Sequence, residues 1–487
     1  MDYHGGGEAV FSDQVLLNGI AIPAILTSGG RIRWTEVGGS NRQLIVEKEV
    51  LGFSVEGSKI KVKAIVEKPG GTCCVGVGGV PMRKSFVFET LSEESLRLWC
   101  QKLQECIDSL NRPKRLFVFL NPFGGKKSAS KIFLDEVKPL LDDANVEFTL
   151  LETQYQLHAK EVAQSLDFSK YDGIVCVSGD GILVEVVNGL LQRKDWKDAI
   201  STPLGIVPAG TGNGMAKSLL DSVGLPCTAT DSILAIIRGH KRSLDVATIL
   251  QGDTKFFSVL MLAWGLVADT DIESEKYRWM GSARLDFYGL QRILRLRRYN
   301  GQIHFVPAPG FETIGEPCGQ KGVAEAYHSN KHVKEGEQAG YEGPVLDLET
   351  SNWRSLNGPF ISVWLHNVPW GSEDTMAAPN AQFSDGYIDA IISRDCPSKL
   401  GLLSLMSNMN NGNHVKSPYV MYFKVKAFVL EPGSRTDDQT KGGIIDSDGE
   451  VLARGNGTYK CDQKSLMTYD KLQLTVDQGL ATIFTPV

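Results

Sequence analysis

Three glycine-rich turns constrain the fold of this chain more than any other feature. Each follows a short apolar stretch and precedes a segment with helical spacing of apolar residues: Asn121–Gly125, Ser178–Gly181 and Ala209–Gly214. Short apolar runs are typical of buried strands, and their alternation with helices predicts a mainly parallel, doubly wound sheet. Ligands of such sheets bind at the carboxyl ends of the strands. Because all three turns are expected at such ends, the sequence predicts one shared binding site.

The composition excludes several classes of protein. A net charge of −6 gives no overall basic field, so no nucleic-acid partner is expected. The nine scattered cysteines contain no Cys-x-x-Cys pair, which argues against a zinc site or a disulfide framework and favours a reducing compartment. No run of about 18 apolar residues occurs, so no membrane-spanning helix is expected. The N-terminus lacks the pattern of a signal peptide.

The glycine turns have the properties of phosphate sites. Amide groups at Gly124–Gly125 and Gly210–Gly212 would stand at helix N-termini, where N–H donors and the helix dipole favour anionic oxygens. Neither a Walker P-loop nor a dinucleotide fingerprint is present, since Leu120 and Met215 occupy required glycine positions. With Asp180 beside these turns, the pattern indicates metal-assisted phosphoryl transfer to an alcohol. Taken alone, the turn Ser178–Gly181 is explained equally well by a catalytic Asp180 or by a strand-to-helix turn in which Asp180 is a cap.

Five motifs resemble a known family. Asn121-Pro-x-Gly-Gly-Lys, Ser178-Gly-Asp-Gly-x-x-x-Glu-Val-x-Asn-Gly-Leu190 and Pro208-Ala-Gly-Thr-Gly-Asn213 are similar to motifs of the diacylglycerol, ceramide and sphingosine kinases. The segment from Ala263 to Gly281 and the motif Asp448-Gly-Glu450 narrow the resemblance to the sphingosine kinases. It covers roughly residues 112 to 487. A sphingosine kinase preceded by such an extension resembles the plant long-chain-base kinases.

The resemblance implies an ATP- and magnesium-dependent kinase of free sphingoid bases. It implies that Asp180 is the base toward the primary hydroxyl of the lipid and that Asp271 contacts the head group. It leaves the individual magnesium ligands unassigned. It further implies that the following residues bind ATP: Asn121, Pro122, Phe123, Thr153, Gln154, Tyr155, Gln156, Leu157, Ser178, Gly179, Gly181, Glu185, Gly210, Thr211, Gly212, Arg278, Arg284, Asp448, Gly449 and Glu450. Phe123 departs from the pattern, because animal relatives often carry Arg there.

An acidic segment supports the choice of substrate. The carboxylates of Asp269, Asp271, Glu273 and Glu275 suit the protonated amine of a sphingoid base, whereas diacylglycerol carries no charge. Without the resemblance, an ordinary solvated acidic face is the stronger interpretation. A ceramide or diacylglycerol kinase, or a lipid-binding protein without catalysis, therefore remains an alternative.

The chain is predicted to have three parts, since its length exceeds one ordinary core. These are a β-rich extension at 1–111, an α/β nucleotide-binding catalytic domain at 112–243, and a β-rich, sandwich-like lipid-substrate domain at 244–487 with a polar insertion at 312–352. The extension, with a first strand at Gln14–Ile25 and a closing helix capped by Ser92, resembles a pleckstrin-homology-like domain in architecture alone. It is either a membrane or partner module or, the preferred interpretation, a structural domain packed on the enzyme.

A lipid substrate requires contact with a membrane. The sequence therefore predicts a cytoplasmic protein at the surface of an intracellular membrane, the vacuolar membrane included, and leaves a homodimer open. The mixed basic and apolar run Arg292–Arg298 could lie on an anionic surface, although a half-buried helix is the preferred interpretation.

Overall fold

The computed structural model describes residues 7–36, 39–67, 81–125, 127–281, 283–318, 340–344, 352–394, 398–459 and 465–487. Most of the predicted polar insertion lies outside the described residues, as do Lys126 and the side chain of Arg278. Within that insertion, the Tyr341 N–H donates to the Leu191 carbonyl at 2.7 Å, which fixes the short segment 340–344 to the α/β part.

The first part of the chain is an antiparallel sheet with one helix. Its elements are β1 (Ala9–Leu17), β2 (Ile20–Thr27), β3 (Arg31–Thr35), β4 (Asn41–Ile45), β5 (Val50–Glu56), β6 (Lys59–Glu67), β7 (Pro81–Thr90) and α1 (Glu93–Asp108). The strand order is β4-β3-β2-β1-β7-β6-β5. Trp99 and Leu103 of α1 pack into the core of this sheet. The predicted cap is present, because the Ser92 hydroxyl accepts the Ser95 N–H at 3.1 Å.

The single strand predicted at Gln14–Ile25 is wrong. Asn18 and Gly19 have φ angles of 54° and 81° and form the turn of a hairpin between β1 and β2. Two-residue hairpins of this kind favour Asn-Gly because both residues need positive φ. The Asn-Gly pair was therefore a usable signal in the sequence.

Arg112 fastens this first sheet to the rest of the chain. Its guanidinium donates to four backbone carbonyls at 2.8–3.2 Å, those of Val46 and Glu47 after β4 and of Val50 and Leu51 at the start of β5. The Leu51 and Ile65 side chains join the apolar core of the α/β part. The first sheet is therefore packed on the α/β part through shared core residues as well as polar contacts.

A parallel sheet with helices on both faces forms the centre of the molecule. Its elements are β8 (Arg115–Leu120), α2 (Ala129–Ile132), a π-helical turn (Phe133–Val137), α3 (Lys138–Asp143), β9 (Glu147–Glu152), α4 (His158–Ser165), a 3₁₀ turn (Phe168–Lys170), β10 (Gly173–Ser178), α5 (Asp180–Leu191), α6 (Trp196–Ser201), β11 (Leu204–Pro208), α7 (Gly214–Asp221) and α8 (Ala229–Arg238). The order is β11-β10-β8-β9 and all neighbours are parallel. Successive strand residues point to opposite faces, so Phe117 and Val118 belong to different apolar cores.

The third part is rich in antiparallel strands. Its strands are β12 (Lys241–Gln251), β13 (Thr254–Ser258), β14 (Met261–Gly265), β15 (Tyr299–Pro307), β16 (Glu316–Pro317), β17 (Arg354–Asn357), β18 (Ser362–His366), β19 (Trp370–Ser372), β20 (Thr375–Met376), β21 (Ile388–Ser393), β22 (Met421–Arg435), β23 (Ile444–Ser447), β24 (Glu450–Arg454) and β25 (Leu472–Phe484). Its helices are α9 (Leu266–Glu273), α10 (Ala283–Leu294) and α11 (Lys399–Ser407), with 3₁₀ segments at Ser274–Met280, Asn408–Asn411 and Asn413–Lys416.

The last strand connects the two larger parts. β25 pairs with β12 and β22, and its Ile483 lies beside Leu204 of the parallel sheet. One sheet therefore runs from β9 through β11 and β25 to β24. The predicted fold class, an α/β part followed by a β-rich part, is confirmed. The division of the chain at residue 243 stays a prediction, and β25 pairs across it.

Candidate active site

The three glycine turns meet at the carboxyl ends of β8, β10 and β11, where the sequence places them. A Cβ atom on Gly210 would lie 2.3 Å from the Cα of Gly179, and one on Gly125 would lie 2.8 Å from the carbonyl carbon of Gly210. Real Cβ atoms do not come this close to backbone, so only glycine allows the turns to touch. The N-termini of α5 and α7, with their backbone N–H groups, therefore lie side by side.

Asp180 is the first residue of α5, and its carboxylate also caps α7. Its Oδ2 accepts the Gly214 N–H at 2.8 Å and its Oδ1 accepts the Met215 N–H at 2.9 Å. Burial raises the pKa of Asp180 above its usual value, while these two backbone donors act to lower it. Contrary to the cap explanation, Asp180 does not cap its own helix, whose N-cap is Gly179. It caps the neighbouring α7, and the same carboxylate lines the cavity described below.

Glu185 is a second acid that organises backbone. One turn further along α5, its two carboxylate oxygens accept the N–H groups of Leu157 and Ala159, each at 3.1 Å. These donors belong to the start of α4, and Leu157 has a φ of 69°. Burial raises the pKa of Glu185. Glu185 thus holds the loop from Thr153 to Leu157, which was predicted as a wall of the nucleotide site.

The Asp448-Gly449 pair forms a two-residue hairpin turn between β23 and β24, with φ angles of 54° and 82°. The Asp448 carboxylate accepts three backbone N–H groups at 2.6–3.0 Å, those of Val259, Leu260 and Met261. Glu450 accepts a hydrogen bond from the Gln156 side chain at 2.9 Å. Burial raises the pKa of Asp448 and of Glu450 to about 7, with the Glu185 carboxylate adding to the effect on Glu450.

One cavity of about 1190 Å³ joins these turns to an apolar chamber. The chamber is lined by side chains of α9, α10, α11 and neighbouring strands, among them Leu266, Ile272, Leu285, Ile293, Trp364 and Leu402. The predicted site residues that line the cavity are Asn121, Phe123, Thr153, Gln154, Tyr155, Gln156, Gly179, Asp180, Gly181, Glu185, Gly210, Thr211, Gly212, Asp271, Arg284, Asp448, Gly449 and Glu450. A polar end and an apolar end therefore share one continuous cavity.

Two of the four acids of the segment from Asp269 to Glu275 do not face this cavity. The Asp269 carboxylate accepts hydrogen bonds from Arg297 at 3.1 Å and from the Tyr299 hydroxyl at 2.5 Å. The Glu273 carboxylate accepts one from Arg297 at 2.8 Å. Both acids are almost fully shielded from solvent. The interpretation of all four acids as one cation site is therefore wrong for these two, which stabilise the core.

The other two acids lie at the cavity beside a cation. The Arg284 guanidinium is 2.5 Å from a Glu275 oxygen and 4.0 Å from an Asp271 oxygen. Partial burial raises the pKa of Asp271, and Arg284 acts to lower it. Because 4.0 Å is too long for a hydrogen bond, Asp271 keeps capacity for a further partner.

Comparisons with known proteins agree with this geometry. The diacylglycerol kinase catalytic domain matches residues 115–249, and the YegS C-terminal NAD kinase beta sandwich-like domain matches residues 350–468. Sphingosine kinase 1 from Arabidopsis thaliana is 63% identical over 478 residues, which cover 98% of this chain and 97% of that relative. The chain belongs to the sphingosine kinase family. The resemblance predicted from the motifs is thereby confirmed.

More distant relatives define the wider group around this sphingosine kinase. Sphingosine kinase 1 from Homo sapiens is 36% identical, with 70% of this chain and 87% of the relative covered. Ceramide kinase from Homo sapiens is 31% identical, with 72% and 67% covered. As a member of this lipid kinase group, the protein uses ATP, acts on a lipid and is a phosphotransferase with an alcohol acceptor.

A few residues predicted for the sphingosine kinase site lie outside the lining of the cavity. Pro122, Leu157 and Ser178 are not among the lining residues, although the Leu157 N–H holds Glu185 and the Ser178 hydroxyl donates to the Gly179 carbonyl at 2.7 Å. Arg278 lies in the 3₁₀ segment before α10, and its side chain is outside the described atoms. The individual roles of the predicted residues stay predictions.

The hairpin formed by β19 and β20, which completes the cavity, was not predicted from the sequence. β19 and β20 bring Ser372, Asp374 and Thr375 to the lining. The Glu373 N–H donates to the Gly212 carbonyl at 2.8 Å, and its side chain accepts from Asn213 at 2.6 Å. The Gly-Ser-Glu-Asp-Thr sequence indicates a turn, but nothing in it indicates that the turn lies over a phosphate loop.

Proposed function

We propose that this protein transfers the γ-phosphoryl group of ATP to the primary hydroxyl of free sphingoid bases, giving the 1-phosphate. The substrates are sphingosine, dihydrosphingosine and phytosphingosine. The observation that carries the proposal is the single cavity in which the glycine turns and Asp180 occur together with Asp271 and an apolar chamber. Phosphates, a hydroxyl proton, an ammonium group and a hydrocarbon chain each find complementary groups in that one volume.

The phosphate end supports transfer by positioning and charge. The Gly210 N–H already donates to the Asn213 Oδ1 at 2.9 Å. Thr211 and Gly212 of the same turn and the N-terminus of α5 would supply backbone N–H groups, and Thr211 adds a hydroxyl donor. Each Asp180 oxygen already accepts one backbone N–H and retains a lone pair for the lipid hydroxyl proton. The fixed carboxylate therefore suits a proton acceptor whose orientation is set before the substrate binds.

Magnesium fits this donor set as a companion of the nucleotide. Among the described residues, no group of three or more His, Cys, Asp or Glu side chains could hold a metal ion. Mg²⁺ is commonly bound by one or two carboxylates together with substrate phosphates, so such a cage is unnecessary. Asp180 is the carboxylate that would hold it, and the ion would neutralise charge on the phosphates.

The lipid end supports a cationic substrate with a long chain. Asp271, about one quarter exposed, faces the cavity and is available to an ammonium group. The apolar lining beyond it would take the hydrocarbon chain. A neutral glycerolipid would leave Asp271 without this interaction.

Radiolabelled ATP transfer to a panel of lipids tests the proposal. We expect product with sphingosine, dihydrosphingosine and phytosphingosine, and little with ceramide or diacylglycerol presented in the same micelles. Transfer to ceramide or diacylglycerol alone would overturn the substrate assignment. Lipid binding without consumption of ATP would instead indicate a non-catalytic protein.

An exposed apolar patch supports docking on a membrane. It consists of Trp279, Phe287, Leu290, Leu294 and Leu400, with exposed fractions between 42% and 82%. Three of these residues lie on one face of α10, and a neighbouring face of the same helix lines the chamber. No helix in the described part of the chain is long and apolar enough to cross a membrane. The patch therefore fits a protein that lies on the surface and admits lipid between α10 and α11.

The basic residues near this patch divide between the core and the surface. Arg292 and Arg297 pair with Glu273, whereas Arg295 is exposed. The half-buried helix predicted for Arg292–Arg298 is wrong beyond Leu294, where α10 ends. The double variant Trp279→Ser/Leu400→Ser should lose about tenfold or more in binding to phosphatidylcholine–phosphatidylserine vesicles. Leu91→Ser, at an exposed leucine directly after β7, is the control. Equal vesicle binding by both variants would contradict docking through the patch.

The predicted location at the cytoplasmic face of an intracellular membrane, the vacuolar one included, and the homodimer stay predictions.

A further inference from the structure

Asp446 is a buried carboxyl group to which the proposed transfer gives no role. It lies on β23 beside Ala263 of β14 and is fully shielded from solvent. Neither of its side-chain oxygens accepts a hydrogen bond from a donor in the described part of the chain. An ionised carboxylate buried without a donor or a cation is strongly unfavourable. Asp446 therefore requires either a proton or a partner.

The neighbour that meets this requirement is Asp271, which faces the cavity. The two carboxyl groups lie within hydrogen-bonding reach of each other. Since both are acceptors when ionised, they form a hydrogen bond only if one of them is protonated. Arg284, 4.0 Å away, favours the ionised form of Asp271.

The proton belongs on Asp446. The carboxyls of Asp271, Asp448 and Glu450 all disfavour a negative charge on Asp446. Burial and the Asp271 carboxylate raise the pKa of Asp446 well above its usual value. Asp446 is fully buried with no donor to its oxygens among the described residues, whereas Asp271 has the Arg284 cation beside it, so we assign the shared proton to Asp446 and direct its O–H toward the Asp271 carboxylate.

We propose that Asp446 is a positioning residue for the lipid head group, which it serves by donating its O–H to Asp271 and holding that carboxylate toward the cavity. The proposal rests on the proposed function, in which Asp271 contacts the ammonium group. Arg284 competes for the same carboxylate: at 4.0 Å it is not hydrogen-bonded to Asp271, but a modest rotation would pair them. The bond from Asp446 opposes that rotation and keeps Asp271 available to the substrate.

Two substitutions of nearly equal shape test this role. Asp446→Asn retains a donor toward Asp271, and Asp446→Val removes it while keeping a side chain suited to a strand. We expect the KM for sphingosine to stay within about twofold in Asp446→Asn and to rise about tenfold or more in Asp446→Val, because a hydrogen bond to a charged group is lost. The KM for ATP should be unchanged in both. An unchanged KM for sphingosine in Asp446→Val, or equal damage by both substitutions, would overturn the proposal.

A double variant separates positioning from a general structural effect. If Asp446 acts through Asp271, the KM for sphingosine of Asp271→Asn/Asp446→Val should be no higher than that of Asp271→Asn alone. A further, additive increase would overturn the proposal. Asp446→Ala replaces Asp446→Val in both comparisons if the valine variant does not fold. Failure of the proposed function is distinguishable, because it would appear as absent sphingosine phosphorylation by the unaltered protein.

Discussion

The two acidic faces of helix α9 have the same chemistry and different uses. Asp269 and Glu273 point into the protein, where Arg297 and two tyrosine hydroxyls donate hydrogen bonds to them. Asp271 and Glu275 point to the cavity, where Arg284 is their cation. The inner pair holds α9 to the strand that follows α10. Of the outer pair, Glu275 is paired with Arg284 at 2.5 Å, and Asp271 keeps capacity for a ligand.

Helical spacing explains the division. Residues four apart lie on one face of a helix, whereas residues two apart are separated by roughly 200°. The acids at 269 and 273 therefore share one side, and those at 271 and 275 share the other, with the second face continued into the 3₁₀ segment. The number of acidic residues in a segment therefore does not identify a binding site. The helical face on which each residue lies must be known as well.

Asp180 combines the two uses, because its carboxylate accepts backbone hydrogen bonds within the protein and also lines the cavity. Substituting it should have the largest effect. Asp180→Asn keeps the size of the side chain but loses the proton acceptor, so kcat should fall by about 10²- to 10⁴-fold. Its amide group would also meet one of the N–H donors of α7, which should lower the free energy of unfolding by about 1–3 kcal/mol. Steady-state kinetics and urea denaturation measure the two effects.

Ser92→Ala is the matched control for the loss of a helix cap. Ser92 caps α1 in the first sheet, so its loss should cost about 1 kcal/mol of unfolding free energy and leave kcat unchanged. Unaltered turnover in Asp180→Asn would reduce Asp180 to a cap of the same kind.

Removing the cation bound by the inner acids of α9 should cause a large loss of stability. Arg297→Met removes the cation shared by Asp269 and Glu273, two carboxylates that solvent barely reaches. Breaking a buried pair by removing one partner costs about 3–5 kcal/mol, and urea denaturation should show a loss of this size. Arg83→Met is the control, since Arg83 pairs with Asp143 while half exposed and should cost about 0–1 kcal/mol. Similar losses in both variants would mean that the inner pair is no more than a surface ion pair.

The sequence predicted the turns better than the side chains around them. The strand-turn-helix pattern located Asp180 and the contact of the three turns, because period and glycine are local signals. It could not find that Asp180, Glu185 and Asp448 each accept backbone N–H groups from segments distant in the chain. Such pairs depend on the register of strands and on tertiary packing, as does the contact between Asp446 and Asp271.

Removing the Asp271 charge from the outer face should specifically weaken binding of the lipid substrate. Asp271→Asn should raise the KM for sphingosine about tenfold or more, because the charge opposite the ammonium group is removed. The KM for ATP should change less, and the free energy of unfolding by under about 1 kcal/mol, since Asp271 is not hydrogen-bonded to Arg284. Asp269→Asn, the same chemical change two residues away, should do the opposite and reduce stability without raising the KM. An effect of Asp271→Asn confined to ATP would remove the head-group assignment.

Glu450 offers the smallest test, on the pH dependence of stability. Its pKa is raised to about 7 in the folded protein, above the usual value near 4.5, so between these values the folded state holds a proton that the unfolded chain has released. Its contribution to stability is therefore complete below about pH 4.5 and is lost as the pH rises through about 7. Glu450→Gln should reduce the decline of the melting temperature between pH 5 and about 7.5, measured without nucleotide.

Asp438→Asn is the control. The pKa of Asp438 is lowered to about 2, so that acid is ionised in both states over this range and its removal should leave the slope unchanged. Equal slopes for Glu450→Gln and the unaltered protein would show that the Glu450 carboxylate is solvated by the cavity and costs the fold nothing when it ionises.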